Sequence, residues 1–479
     1  MFEKLKRTAK LGYGKSGGNK QGTNKQGLNI IIVGCGKVGA TLTEQLCKEG
    51  HDIAVVDKNP SRVQALTDLH DVMGLVGNGA SYSVQMEAGI ETADLIIAVT
   101  ESDELNLLTC TVAKRVGHCA AIARVRNPDY SEEISYLQER LELAMIVNPE
   151  LEAANEIARV LYLPAALSVN TFARGHAEMV RIKIPADNVL DGQSLAMLGR
   201  DIAKNILVCA VERGSEVQIP GGNFVLKSGD VVSFIASARE STEFLERIGI
   251  QTHRVKDALL IGGGKSSYYL AKQLLAVGIG VKIIESRQER CEELSILLPR
   301  AVVINGDGTK EELLKEEGLD QVEAFVPLTG IDEENILLTL HAREVSNAKV
   351  ITKINRITFH DVINRLELGS VVYPKYITAE AIIAYVRALT ASMDSNVETL
   401  YHMFDHRVEA IEFRVSGESG LTDKSLKELS LKDNLLIACI NRNGQIIIPG
   451  GDDWIQAGDT VIIVTTHTGF YDIQDILKQ

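Results

Sequence analysis

The chain has few of the residues that mark several large classes of protein. Its seven cysteines among 479 residues are scattered and form no CxxC pair, which argues against a disulfide framework and a zinc site. No apolar run approaches the roughly 18 residues of a membrane span. Acids outnumber bases 64 to 50, and the net charge of −14 argues against nucleic acid, because phosphate binding needs a basic surface. These absences predict a protein of the reducing cytosol that does not itself cross a bilayer.

Catalytic signatures are missing as well. The sequence contains no HExxH motif. The stretch Gly264-Lys265-Ser266 resembles the end of a P-loop, but Leu259 stands where the leading glycine is needed. Tyr268 and Lys272 have the YxxxK spacing of short-chain dehydrogenases, yet they directly follow a glycine-rich loop, far from where hydride transfer needs them. We therefore predict no catalytic residue.

The sequence does contain one long unit twice. An apolar run over residues 28–33 leads into Gly34-Cys35-Gly36-Lys37-Val38-Gly39, and the next apolar run ends at Asp57. In the second half, Gly262-Gly263-Gly264-Lys265-Ser266-Ser267 is followed in the same way by Glu285. Later segments match in order: Gly77-Asn78-Gly79-Ala80 with Gly306-Asp307-Gly308-Thr309, and Ile219-Pro220-Gly221-Gly222 with Ile448-Pro449-Gly450-Gly451. A repeat of this length indicates a duplicated pair of domains, since solenoid repeats are much shorter.

The patterns predict an α/β fold class: two tandem Rossmann-like, doubly wound parallel sheets, each followed by a small α+β lobe. The predicted boundaries are a basic flexible tail at 1–27, Rossmann-like lobes at 28–163 and 251–391, and C-terminal lobes at 164–250 and 392–479. The tail has two interpretations, a disordered segment or an electrostatic attachment to anionic lipid or an acidic partner, with Phe2 and Leu5 as shallow anchors.

The first glycine-rich stretch has the features of a dinucleotide site. Gly34 permits a tight turn, Gly36 lets the backbone approach a pyrophosphate, and Gly39 lets the following helix pack on the strand. Asp57, at the end of the next strand, would accept hydrogen bonds from ribose hydroxyls and repel a 2′-phosphate, which favours NAD(H) over NADP(H). A GxGxxG alone is weak, but its place between strand and helix, with an acid beyond, makes a nucleotide-binding fold a strong prediction.

Polar residues follow other predicted strands of the first sheet. Since ligands lie at the carboxyl ends of parallel strands, we expect Asn78, Thr100, Glu101 and Arg124 beside a nucleotide. Thr100 and Glu101 have an alternative as a helix cap. Arg124 stands in an apolar run, where a cation needs an anion such as a phosphate or a carboxylate of a neighbouring subunit.

The second sheet repeats these positions with changes. Its candidate nucleotide contacts are Gly262, Gly264, Glu285, Asp307, Thr329 and Lys353. Ser267 replaces the third glycine, so we expect either a wider separation of helix and strand or a hydroxyl that meets the ligand. Three outcomes stay open for this site: weaker binding, a different nucleotide, or no ligand.

With these residues in view, the chain resembles the TrkA family, the regulatory subunits of Trk-type potassium uptake systems. The similarity spans residues 28–478 and is most specific at Ala98-Val99-Thr100-Glu101-Ser102-Asp103-Glu104 and Arg124-Val125-Arg126-Asn127-Pro128-Asp129-Tyr130. The resemblance implies two units of RCK N-lobe and C-lobe, binding of NAD(H) or of ATP and ADP, and no enzymatic activity. The family positions that contact nucleotide match Gly34 to Val38, Asp57, Thr100, Glu101 and Arg124. The basic tail and Ser267 depart from the family pattern.

The resemblance also implies partners. The chain is expected to form a homo-oligomeric ring of four copies and to gate a membrane-embedded Trk-type potassium transporter subunit from the cytoplasm, as a peripheral protein on the inner face of the plasma membrane. Two alternatives stay open: an NAD-dependent oxidoreductase of unusual layout, and a structural ring with vestigial nucleotide sites.

Overall fold

The computed structural model describes residues 27–131, 133–201, 205–214, 216–250, 252–355, 363, 365–366, 368–390, 395–404, 406–415, 420–422 and 424–478. Apart from Gly27, the predicted basic tail lies outside these residues. The chain forms two compact units, the first ending at Glu152 and the second beginning at Ala153. In the described part of the chain, no helix is both long and apolar enough to cross a membrane.

The first unit contains a parallel sheet of six strands in the order β3-β2-β1-β4-β5-β6. The strands are β1 Asn29–Val33, β2 Asp52–Asp57, β3 Met73–Val76, β4 Leu95–Ala98, β5 Ala120–Arg124 and β6 Met145–Val147. The helices are α1 Lys37–Lys48, α2 Pro60–Leu69, α3 Tyr82–Glu87, α4 Asp103–Val116, α5 Pro128–Ser131 and α6 Ile134–Arg140. Helix α7, Pro149–Tyr162, begins in the first unit and lies mostly in the second. This strand order confirms the predicted doubly wound sheet.

The centre of this sheet explains its continuous apolar strands. All four residues of β4 are completely buried, and Ile32 in the neighbouring β1 is also 0% exposed. Parallel strands are joined by helices that cover both faces of the sheet, so their side chains are apolar on both sides. The site residues therefore emerge from a rigid core at the strand ends.

The second unit contains a parallel sheet of the same topology, in the order β14-β13-β12-β15-β16-β17. Its strands are β12 Asp257–Ile261, β13 Gly280–Glu285, β14 Val302–Asn305, β15 Ala324–Pro327, β16 Lys349–Lys353 and β17 Ser370–Val372. Its helices include α10 Lys265–Ala276, α11 Gln288–Leu297, α12 Glu311–Glu316, α13 Asp332–Val345 and α14 Pro374–Thr390. The match of strand order confirms that the sequence repeat is a structural one.

Two antiparallel sheets complete the second unit, in the orders β10-β9-β11-β8-β7 and β18-β19-β22-β20-β21. The first has β7 Ser168–Phe172, β8 Ala177–Lys183, β9 Leu207–Arg213, β10 Glu216–Gln218 and β11 Val231–Ala236, with helices α8 Leu195–Asp201 and α9 Ala238–Arg247. The second has β18 Ser395–Met403, β19 Val408–Val415, β20 Leu435–Arg442, β21 Gln445–Ile447 and β22 Thr460–Thr465. The 3₁₀ turn Leu426–Glu428 precedes β20, and the backbone is already extended at Leu429 (ψ 130°).

The two antiparallel sheets share a hydrophobic core. Phe172 and Cys209 from the first lie in one buried cluster with Ala410 and Ile462 from the second. The Glu412 carboxylate, also buried, accepts a hydrogen bond of 2.7 Å from the Ala173 amide. The second unit is therefore held together by apolar contacts and by buried polar ones.

Candidate nucleotide-binding site

The glycine turn after β1 is tight at two positions. Gly34 has φ +106°, and a Cβ there would lie 2.9 Å from the Thr100 amide nitrogen. A Cβ at Gly39 would lie 1.9 Å from the Gly34 carbonyl oxygen, so only glycine fits. Gly36, the N-cap of α1, has no neighbouring atom within 4 Å of its would-be Cβ. The turn is thus closed against the sheet and open where the helix begins.

Asp57 holds this turn from the end of β2. Its Oδ2 accepts a hydrogen bond of 2.7 Å from the Cys35 amide, and its Oδ1 accepts one of 2.8 Å from the Asn59 amide. Burial, reinforced by the Asp57 charge, raises the pKa of the Cys35 thiol to about 12. The thiol therefore stays protonated at neutral pH, and Cys35 is not a nucleophile.

A buried asparagine joins the ends of two strands. Asn106 Oδ1 accepts hydrogen bonds from the Thr100 amide (2.8 Å) and hydroxyl (2.7 Å), and its Nδ2 donates to the carbonyls of Thr100 (3.1 Å) and Arg124 (2.9 Å). Our sequence reasoning missed Asn106. The repeat could have revealed it, because Asn335 makes the equivalent hydrogen bonds to Thr329 and Lys353.

The alternative role of Thr100 and Glu101 as a helix cap is wrong. The N-cap of α4 is Ser102, whose hydroxyl accepts a hydrogen bond of 3.1 Å from the Leu105 amide. The Glu101 side chain is instead 85% exposed, and its carboxylate lies 3.7 Å from the Arg62 guanidinium on α2. Glu101 lies on the loop after β4, whereas Arg62 lies in the first turn of α2, the helix that follows β2.

Arg124 carries a charge that its surroundings satisfy only in part. Its Nη2 donates to the Thr100 carbonyl, while its buried Nε has no hydrogen-bond partner among the described residues. Burial, together with nearby Arg126, lowers the pKa of Arg124 to about 10, so it remains a cation at neutral pH. A half-buried cation of this kind is a natural contact for an anionic ligand.

Asn78 lies in the turn after β3. Its side chain is exposed, and Oδ1 accepts a hydrogen bond of 3.3 Å from the Ala80 amide. A Cβ on neighbouring Gly79 would lie 2.1 Å from Val33 Cγ1, so this turn packs directly on the end of β1. The structure therefore gathers the predicted residues of the first half at the carboxyl edge of one sheet.

The second sheet keeps this frame. Gly262 has φ +95°, and Gly264 has open space around its would-be Cβ. Asp307 Oδ1 accepts hydrogen bonds from the Thr309 amide (3.0 Å) and hydroxyl (2.7 Å) in the turn that matches Asn78. Lys353 Nζ donates to the Leu328 carbonyl at 3.0 Å, near the position of the Arg124 contact.

Two residues differ from the first half. The Ser267 hydroxyl donates to the Gly262 carbonyl inside the turn. From the sequence we expected either a wider separation of helix and strand or a contact between this hydroxyl and the ligand. Glu285 is 7% exposed and accepts hydrogen bonds from the Gly263 amide (2.7 Å) and the Arg287 amide (2.9 Å). Burial pulls the pKa of Glu285 up, but these hydrogen bonds and the Arg287 charge outweigh it and lower the pKa.

Known proteins match the chain along most of its length. The TrkA-N domain matches residues 30–149 and 258–374, and the TrkA-C domain matches residues 179–249 and 410–478. The Trk system potassium uptake protein TrkA homolog of Archaeoglobus fulgidus is 31% identical over 453 residues, covering 94% of this chain and 100% of that protein. The Trk system potassium uptake protein TrkA of Halomonas elongata is 31% identical over 439 residues, covering 91% and 95%.

Solved structures show the same fold at lower identity. The GsuK RCK domain has a TM-score of 0.61 at 16% identity and covers 96% of each chain. The GsuK channel bound to NAD has a TM-score of 0.61 at 17% identity and covers 97% of this chain and 81% of that one. With a TrkA-N and a TrkA-C domain each present twice, and relatives that match along nearly their whole length, the chain belongs to the TrkA family of Trk system potassium uptake proteins.

Proposed function

We propose that this protein is a nucleotide-sensing regulatory subunit that binds NAD(H), or ATP and ADP, and gates a membrane-embedded Trk-type potassium transporter. One observation carries the proposal. The glycine turn is open at Gly36, and a carboxylate and a half-buried cation, Asp57 and Arg124, lie at the same sheet edge. This arrangement suits the binding of an anionic nucleotide.

The residues fit a dinucleotide in three parts. The first amides of α1 have no side-chain cap, and helix N-terminal amides favour phosphate. Asp57 Oδ1 has one backbone donor and retains capacity to accept from a ribose hydroxyl. Arg124 supplies a cation near Thr100, with Asn78 and Glu101 on adjoining turns. A bound nucleotide would supply the negative phosphates and the ribose hydroxyls that these residues recognise.

The proposed mechanism requires only a difference in affinity. A nucleotide that binds one conformation of the protein more tightly shifts the equilibrium toward it, and a coupling of about 1–3 kcal/mol changes the equilibrium about 5- to 150-fold. The chain would act in a homo-oligomeric ring of four copies on the cytoplasmic face of the transporter. The lobe boundaries predicted from the sequence, 28–163, 164–250, 251–391 and 392–479, are part of this proposal.

The test compares binding and transport. Calorimetry of the purified chain with NADH, NAD⁺, ATP and ADP is expected to show binding without turnover, and Asp57→Ala is expected to weaken it. Glu87→Ala removes an exposed acid on the same sheet's helices and serves as the matched control. Potassium flux into liposomes that carry the transporter should respond to nucleotide only when the chain is present. Hydride transfer to a metabolite, or flux that ignores nucleotide, would contradict the proposal.

A further inference from the structure

The two glycine turns differ in what satisfies the carboxylate beside them. In the first, Asp57 Oδ1 accepts from a single backbone donor, the Asn59 amide. In the second, Glu285 Oε1 accepts from the Arg287 amide at 2.9 Å, the Arg287 Nε at 3.3 Å and the Ser286 hydroxyl at 3.4 Å. The Oε1 atom of the second carboxylate therefore has three donors from its own chain, whereas the matching oxygen of Asp57 has one.

A paired substitution accompanies this difference. Glutamate is one methylene longer than aspartate, and the side chain of Glu285 curls beneath the turn. A Cβ at Gly263 would lie 2.7 Å from Leu294 Cδ1, 3.0 Å from Glu285 Oε2 and 3.1 Å from Glu285 Cγ, so a side chain there would require Leu294 and Glu285 to shift. The first half has the shorter Asp57 and the buried Cys35 at these two positions. Each turn thus carries its own matched pair.

The residue two positions beyond the acid completes the change. Asn59 is the N-cap of α2, and its Oδ1 accepts a hydrogen bond of 2.9 Å from the Ser61 amide, so its side chain is directed toward the helix. Arg287 is the N-cap of α11 but makes no capping hydrogen bond. Its guanidinium lies instead against Glu285, at an Nε–Oε1 distance of 3.3 Å.

A second arginine covers the same turn. Arg290 Nε donates to the Gly263 carbonyl at 2.7 Å, and Arg290 is only 15% exposed. Its counterpart in the first half, Arg62, is 47% exposed, and its guanidinium lies 3.7 Å from the Glu101 carboxylate. Gly330 replaces Glu101 in the second half, so the acidic group that faces Arg62 has no equivalent there.

We propose that Arg287 determines nucleotide specificity between the two sites, so that NAD(H) binds at the first glycine turn only, one molecule per chain. The inference rests on the nucleotide-sensing function proposed above. The two hydroxyls of a ribose donate hydrogen bonds to a carboxylate whose oxygens can still accept them. Glu285 is 7% exposed, and a ribose would have to displace a charge-assisted hydrogen bond to reach it, whereas Asp57 is half-buried with an oxygen available.

Titration calorimetry of the full chain with NADH measures the number of sites. The parent is expected to bind one NADH per chain. Asp57→Ala should weaken that binding about 10-fold or more, because hydrogen bonds to a charged group are strong. Glu285→Ala should leave both the number of sites and the affinity unchanged.

Two reciprocal variants test the role of Arg287. Arg287→Asn copies the first half, restores an N-cap and should add a second NADH site. Asn59→Arg copies the second half and should weaken binding at the first turn about 10-fold. Arg239→Asn makes the same charge change at a side chain that is 88% exposed in the first C-terminal lobe and should change nothing. Thermal melts establish that each variant is folded.

Each outcome has a defined meaning. Two sites of equal affinity in the parent, or no second site in Arg287→Asn, would overturn the assignment to Arg287 and leave the sensing function standing. A parent that binds neither NADH nor any adenine nucleotide would overturn the proposed function itself, and this inference with it.

Discussion

The buried charges that attach helix α14 to the second C-terminal lobe should make that lobe lose stability at alkaline pH. His402 on β18 lies with Nδ1 at 3.2 Å from Glu380 Oε1 and with Nε2 at 3.3 Å from Glu409 Oε1. Arg387, on the same helix as Glu380, binds both oxygens of Glu409 at 3.1 Å. The ring of His406 also faces His402, with centroids 4.4 Å apart. One histidine thus bridges two carboxylates from the helix and the sheet.

The direction of the effect follows from the pKa of His402. Burial alone would lower this pKa, but the hydrogen bonds and charges of Glu380 and Glu409 outweigh it and raise the pKa from 6.5 to about 9. A histidine with a raised folded-state pKa stabilises the fold fully below its unfolded pKa, and this contribution disappears as pH rises through the folded pKa. The stabilising contribution of His402 is therefore lost between about pH 6.5 and about pH 9. At 1.36 kcal/mol per unit, the contribution is about 3 kcal/mol.

The chain offers its own probe for this measurement. Its single tryptophan, Trp454, lies in the second C-terminal lobe and pairs by a β-bridge with Ser425. Denaturant unfolding followed by Trp454 fluorescence from pH 6 to 10 should show the parent losing about 3 kcal/mol relative to His402→Gln as pH rises. His118→Asn replaces an exposed histidine and should track the parent. Equal pH dependence in the parent and His402→Gln would refute the reasoning.

Three further predictions concern the first glycine turn and its supports. Asn106→Ala should lower the free energy of unfolding by about 1–3 kcal/mol, measured by chemical denaturation, because it leaves buried backbone groups at Thr100 and Arg124 without partners. Gly39→Ser should abolish NADH binding in calorimetry, since its Cβ would lie 1.9 Å from the Gly34 carbonyl oxygen. Arg124→Gln should weaken NADH binding about 10-fold with little loss of thermal stability, because its Nε has no partner among the described residues.

Each of these has an outcome that would contradict it. If Asn106→Ala is as stable as the parent, water or a shift of the backbone must supply new hydrogen-bond partners for the backbone groups of Thr100 and Arg124. The matched control for Gly39→Ser is Ser267→Gly, which removes a side chain from the equivalent position and should leave NADH binding intact. A large loss of thermal stability in Arg124→Gln would show that Arg124 stabilises the fold and is not available to bind a ligand.

Local patterns were enough to predict most of the first sheet. Continuous apolar runs identified the parallel strands, because helices cover both faces of such a sheet. The glycine turn followed from its place between a strand and a helix. Gly39 is required there by a contact inside the turn, with the Gly34 carbonyl oxygen, whereas Gly34 is required by its positive φ and by the Thr100 amide that follows β4. Because the sequence repeats, the same fold could be predicted for the second half, and the observed strand order there matches that of the first.

Residues whose roles depend on distant partners could not be predicted in the same way. Asn106 looked like one polar residue on an amphipathic helix, and only the packed sheet shows that it joins two strand ends. The cap role of Thr100 and Glu101 was a fair local alternative, yet Ser102 takes it in the structure. Local hydrogen-bond patterns rank cap candidates to within a residue or two, and the path of the chain decides among them.

The sequence by itself determined the duplication, the parallel sheets, the two glycine turns and the acid beyond each, because all of these are set by local periodicity and by residues close in the chain. Only the tertiary structure decided how each acid is used. Asn59 caps its helix and leaves Asp57 available, whereas Arg287 folds back on Glu285, which curls beneath Gly263. A side chain's direction is the result of competition among neighbours for the same hydrogen bonds, and those neighbours meet only when the chain is folded.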